Sequence, residues 1–215
     1  MQTEAEKKAQ RAAYKVEAQR AQAAYDNFRY TDAQREQTIE FIGAAMQVIR
    51  GEAEFDSLKQ LLPVTGTGMG LRPNTSSRFD FDSDFLNKWT GIDVSTIPKR
   101  DGGAGFEPAW FQIDFRPPMN IPRERLEELL QLKVVHGWSP DGGNLQFEMA
   151  PLHGLPYFNG GSFLYSPLKQ PQGDFDVEVR FTYLNGPDKD PWTATRLSDI
   201  QIRRQYLVSE PVKLR

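Results

Sequence analysis

Asp80, Asp82 and Asp84 stand at alternate positions, the spacing that opens a calcium-binding loop, in which carboxylate oxygens converge on a hard cation. Such a loop needs a turn glycine at its sixth position and a carboxylate at its twelfth; Phe85 and Gly91 stand there instead. Phe79, Phe81 and Phe85 alternate with the three acids, so a strand with one acidic face is the plainer reading. The three aspartates are a calcium candidate of partial fit only.

Other reactive groups are sparse. The two histidines are His136 and His153, and neither Ser139 nor Ser162 lies in the Gly-x-Ser-x-Gly turn that exposes a nucleophilic serine. His136 follows Val134 and Val135 and reads as an ordinary strand residue. Cysteine is absent, which removes disulfides, thiolate nucleophiles and thiolate metal sites. Glu124, Glu127 and Glu128 stand beside Arg123 and Arg125 at helical spacing, where ion pairing accounts for them. The glycine clusters at 66–70 and 102–105 lack the Gly-Lys-Ser/Thr of a phosphate cradle and read as loops. The expectation is a protein that is not an enzyme, with no catalytic residue, no resident metal and no cofactor.

Aromatic side chains offer a different chemistry. Trp89, Trp138, Tyr157, Phe158 and Trp192 fall near turn-forming residues, where a rigid ring can present area to a sugar or a protein at low entropic cost. The competing reading has them plugging the ends of a β core.

The elements that would carry these residues divide sharply. All prolines and all four tryptophans lie at or beyond Pro63, and the sixty-two residues before it contain only Gly43 and Gly51. The first part therefore reads as helix, the second as strands and turns. Tyr14, Ala18, Ala21, Tyr25 and Phe28 recur at spacings of four, three, four and three along a first helix and form one narrow stripe. Alanines bury little area, so the stripe needs a companion surface and is an interaction candidate. Thr31 to Gln34 has the form of a capping box, opening a second helix with Ile39, Ile42, Met46 and Ile49 on its main face. A short helical segment from Asp56 ends at Pro63.

The rest is expected to be six or seven mostly antiparallel strands with one short helix after Pro122. Residues 111–115 form a strand stopped by Pro117-Pro118, residues 132–138 turn at Ser139–Gly143 and return through Asn144–Met149, and Asp174–Leu184 is the longest strand, paired with Leu197–Tyr206. The fold class is α+β: an N-terminal helical hairpin or arm followed by an antiparallel β domain. The divisions are 1–62 helical, 63–78 linker and 79–215 β domain.

A length of 215 residues, 39% hydrophobic and 26% charged, suits a folded globular chain. A net charge of −3 gives no reason to expect nucleic acid as a partner. No run of about eighteen apolar residues is present to span a membrane. A charged, alanine-rich start is common just after a removed signal or anchor, and with the missing cysteines it leans toward a periplasmic or other extracytoplasmic site. These features point to a non-catalytic interaction or assembly protein of the bacterial cell envelope, a secretion or pilus component or a periplasmic inhibitor, whose partner is another protein or a second copy bound through the N-terminal helices. The alternative is a carbohydrate-binding or carbohydrate-hydrolysing protein that uses the loop tryptophans and paired carboxylates.

Overall fold

The structure is a computed structural model that describes residues 3–69, 77–99, 105–140, 160–171, 173–184 and 195–206. Three helices open the chain: α1 (Glu4–Asn27), α2 (Asp32–Ile49) and α3 (Asp56–Leu61). Four strands follow, β1 (Val64–Met69), β2 (Ser77–Phe81), β3 (Gly91–Pro98) and β4 (Phe106–Asn120). After α4 (Arg123–Leu129) come β5 (Leu132–Pro140), β6 (Gly160–Pro167), β7 (Phe175–Leu184) and β8 (Arg196–Tyr206). The α+β class is as expected.

The eight strands make a single antiparallel sheet in the order β1-β2-β3-β4-β8-β7-β6-β5. Each half of the sheet is a four-stranded meander introduced by helix, and the last strands of the halves, β4 and β8, meet at the centre.

Alternation decides the faces. Phe111, Ile113 and Phe115 of β4, with Ile200 and Ile202 of β8, point to one side and are buried. Helix α2 covers that side: Ile39, Phe41, Ile42, Ala45, Met46, Val48 and Ile49 join the same apolar cluster. Phe41 stands edge-on to Phe81 at 5.5 Å and tilted against Phe111 at 5.8 Å. The capping box holds α2 at its start, with Thr31 Oγ1 accepting from Gln34 N (3.2 Å) and Gln34 Oε1 accepting from Thr31 N (2.8 Å). At its end Gly51 takes a φ of +76°, and Arg204 of β8 donates from Nε to Ile49 O at 2.7 Å.

Several expectations need correction. The segment read as a linker carries β1, because Gly66-Thr67-Gly68-Met69 pairs with β2 in register, Gly68 opposite Arg78, past an irregularity at Thr65. α2 and α3 belong to the sheet's core, through buried Leu58 as well as the α2 stripe, so only α1 stands apart as an arm. Pro117-Pro118 does not stop its strand. The pairing with β8 jumps from Asp114↔Asp199 to Met119↔Leu197, and the prolines occupy that irregularity, where no ladder donor is required. At 15 residues β4, not β7, is therefore the longest strand. β5 takes β6 as its partner; the expected return through Asn144–Met149 lies outside the described residues.

Candidate functional site

The predicted stripe on α1 splits in two. The described side chains from Glu4 to Glu17 are exposed, among them Tyr14 at 44% and Val16 at 47%. Ala18 and Ala21 are half-buried, Phe28 is half-buried and Tyr25 is buried. The lower end of the stripe thus spends its area within the chain. Its companion is Trp89, whose ring meets Tyr25 at 5.6 Å and Phe28 at 6.0 Å, both edge-on. Trp89, expected as a recognition aromatic, is half-buried at the root of the arm. Trp138 lies on β5, with its side chain outside the described set, and Tyr157, Phe158 and Trp192 lie outside the described residues altogether.

A hydrogen-bond knot fixes the root. Tyr30 Oη donates to Pro117 O (2.8 Å), lies 3.1 Å from Thr90 Oγ1 and accepts from Asn87 Nδ2 (3.0 Å). Asn87 Oδ1 in turn accepts from the backbone of Trp89 and Thr90, an arrangement asparagine suits because its short amide folds back on its own turn. Burial pushes the Tyr30 hydroxyl up to about 12, so it serves as a neutral donor.

Beside this knot lies a cavity of about 740 Å³, between the end of α1, the start of α2 and the proline irregularity of β4. Tyr25, Phe28 and Tyr30 form its aromatic wall and Pro117 and Pro118 another. Arg29, Arg35, Arg196 and Asp26 are also among its lining residues. Arg29 Nη1 donates to Asp26 O and Phe28 O, both at 2.7 Å, closing the carbonyl end of α1. Arg35 Nη1 donates to Tyr30 O at 3.1 Å, and its Nη2 pairs with Asp32. The Tyr25 hydroxyl is buried with no hydrogen-bond partner among the described residues. Burial, with Tyr30 and Asp114, pushes it up to about 12 against the pull of Arg116 and Arg196.

On the face of the sheet away from α2, Asp114 and Asp199 are direct cross-strand neighbours. Asp199 accepts from Gln112 Nε2 and Gln201 Nε2, both at 3.0 Å, and Asp114 pairs with Arg116. Burial, with the neighbouring Asp114, raises Asp199 to about 7 against the two glutamines and Arg180. Burial also raises Asp93, against the pull of Arg78.

The calcium candidate comes apart. Asp80 pairs with Arg78 at 2.8 Å, and Asp82 Oδ1 accepts from Asp84 N at 2.8 Å, capping a turn. Among the described residues no three acidic or imidazole side chains could hold a metal ion. His136 is a β5 residue opposite Leu164, and His153 lies outside the described residues.

Sequence reasoning missed both the cavity and the aspartate pair. Arg29, Arg35 and Arg196 come from three parts of the chain, and only the folded protein gathers them. The alternation in β4 and β8 put Asp114 and Asp199 on a polar face, but their juxtaposition depends on strand order. Comparison with known protein families, curated proteins and solved structures finds no match. No helix among the described residues is long and apolar enough to cross a membrane.

Proposed function

We propose that the protein is a non-catalytic interaction or assembly module whose working part is α1. One observation carries this reading: a 24-residue helix is anchored at one end by Tyr25, Phe28 and Trp89, while the described side chains of its other end are exposed, Tyr14 at 44% and Val16 at 47%. An isolated helix with so little apolar contact is marginal in water, so the bare end gains stability from a companion. The four-and-three spacing of Tyr14, Ala18 and Ala21 fits a helix–helix seam, and the companion we favour is α1 of a second copy.

Light scattering over a range of concentrations tests it, comparing the full chain, a variant lacking residues 1–16 and Tyr14→Glu. The expected outcome is a mass above that of one chain for the first alone, with equal melting temperatures for all three in dilute solution. A single-chain mass for the full protein at every concentration, with residues 4–17 unprotected in hydrogen exchange, overturns the proposal. The truncation must stop short of α2, whose removal strips the core.

Placement in the bacterial cell envelope, as a secretion or pilus component or a periplasmic inhibitor, belongs to the same proposal and rests on composition. For the carbohydrate reading, which draws on loop tryptophans and paired carboxylates, Trp89 is engaged at the root of the arm, and Tyr157, Phe158, Trp192 and the side chain of Trp138 lie outside the described set.

A further inference from the structure

We infer that the carboxyl pair of Asp114 and Asp199 is a proton-operated latch on the root of α1: while Asp199 is neutral the root stays seated, and its ionisation loosens it. The pair stands at a fork in the sheet. Asp114 opposite Asp199 is the last regular contact between β4 and β8 before the pairing jumps to Met119 opposite Leu197, so residues 115–118 of β4 stand against Ser198 alone. Backbone donors are scarce in that stretch. Pro117 and Pro118 have no N–H to give, and Arg116 N is directed at Thr90 Oγ1, at 3.4 Å. The same stretch is where the root of α1 is tied to the sheet. Tyr30 Oη donates to Pro117 O and lies beside Thr90 Oγ1, and Pro117 and Pro118 share a cavity wall with Tyr25 and Phe28. Arg116 joins the two features, with its side chain on Asp114 and its main chain on Thr90.

Like charges directly opposite on neighbouring strands destabilise the pairing, and this pair has its weakest backbone support on the side of the root. The surrounding groups divide. Arg180 of β7 and the amides of Gln112 and Gln201, both donating at 3.0 Å, favour a charged Asp199. Asp114 already has Arg116, and Asp93 of β3, paired with Arg78 at 3.5 Å, adds a third carboxylate beside it. From the root come the phenols of Tyr25 and Tyr30, both raised to about 12 and so neutral at ordinary pH, with Arg196 acting on the first. Burial and Asp114 outweigh the favourable partners and hold Asp199 at about 7, so its charge changes within the physiological range. The raised value gives the sign: the neutral form belongs to the seated root, and its contribution is lost as the pH rises through about 7. Asp114 and Arg116 are among the charges that act on the buried Tyr25, so a shift of the fork is felt at the ring that seats the arm. The inference concerns how α1 is held and stands whether or not α1 has a protein partner.

The chain has no cysteine, so a single introduced thiol reports one place. Ala21→Cys puts it at the half-buried root, and Ala12→Cys puts it on the exposed end of the same helix as a reference. Thiol-labelling rates of the dilute full chain, compared between the two from about pH 5.5 to about pH 8.5, test the latch. Protection at position 21 relative to position 12 is expected to fall about tenfold, centred near pH 7. Low concentrations of urea should leave the rate at position 21 unchanged, the mark of a local opening that exposes little surface. Added to Ala21→Cys, Asp199→Asn should hold the protection high at every pH, and Asp114→Asn, which removes the opposing charge, should shrink the fall. These two variants also show that the effect is not the thiol's own ionisation. A ratio that does not change with pH, a fall undiminished in either asparagine variant, or a rate at position 21 as sensitive to urea as global unfolding overturns the inference.

Discussion

Helices α1 and α2 begin alike and end in different places. Each opens with a threonine capping box, Thr3 with Glu6 and Thr31 with Gln34, and each satisfies both reciprocal hydrogen bonds. α1 is the longer, at 24 residues against 18. Yet α2 is sunk into the sheet along eight buried residues, while α1 touches β4 only near its root and runs out bare. Capping and propensity therefore decide that a helix forms. The kind of apolar side chain on its face decides where it goes. Ile39, Phe41, Ile42, Met46 and Ile49 bring enough area to cover β4 and β8; Tyr14, Ala18 and Ala21 do not.

The sharpest way to break this comparison is to truncate one ring in each helix. Phe41→Ala removes a fully buried side chain packed on Phe81 and Phe111, and the expected loss is about 3–5 kcal/mol in denaturant unfolding. Tyr14→Ala, at 44% exposure, is expected to change the stability of the single chain by less than about 0.5 kcal/mol. A large loss from Tyr14→Ala in dilute protein would mean that the arm is part of the core after all.

Next in size is the link between α2 and the sheet. Arg204 sits with only 5% of its side chain exposed, donates to Ile49 O and pairs with Glu107 at 2.9 Å. Its guanidinium lies 4.3 Å from the centre of the Phe175 ring. Arg204→Ala leaves Glu107 with the Tyr206 hydroxyl but no cation and takes the donor from Ile49 O, and we expect a loss of about 3 kcal/mol. Arg204→Met, which restores the stem but not the charge, should recover part of it.

Much of this contrast was legible in the chain. The second capping box, the α2 stripe, the stop at Gly51 and the alternation of β4 and β7 are local patterns, and each is present where expected. The failures share a physical cause. β1 is glycine- and threonine-rich between Val64 and Met69, with no apolar alternation to announce it, and its strand state comes from pairing with β2. The prolines of β4 obey a local rule that an irregular pairing cancels. For the candidate site, the lower half of the stripe was legible as an apolar face, but its docking on Trp89 was not, since sixty-odd residues separate them. The cavity was invisible, because its arginines are unremarkable until α1, α2 and β8 converge.

The two faces of the sheet extend the comparison to pH. The face under α2 is apolar, while the other holds Asp199, raised by burial and by Asp114 from 3.8 to about 7. Between those values the unfolded chain releases a proton that the folded chain keeps. Stability contributed by the neutral acid is therefore complete below about pH 4 and lost as the pH rises through about 7. The rise at Asp93 acts in the same direction. We expect a decline of roughly 2 kcal/mol across that window in urea unfolding, much reduced in Asp199→Asn. A flat profile in the parent chain would show that the aspartate pair ionises freely in the folded protein.

The smallest effect separates the two helices most cleanly, because the chemistry removed is the same. Thr3→Ala and Thr31→Ala each delete one side-chain acceptor for one backbone donor, Glu6 N or Gln34 N. Loss of such a cap costs about 1 kcal/mol of helix stability. At Thr31 that cost falls on the whole fold, because α2 cannot fray without opening the core, and because Gln34 also donates to Phe85 O (2.7 Å) and Leu86 O (3.1 Å), tying the cap to the loop after β2. At Thr3 the cost falls only on the first turn of an exposed arm, so global unfolding should be unmoved and the change visible only as faster hydrogen exchange near residues 6 and 7. Equal losses in global stability from the two substitutions would contradict the division between arm and core. A loss from Thr3→Ala that emerges only as the protein is concentrated would instead locate the arm's companion in a second copy, since only then would the first turn of α1 be part of a larger folded unit.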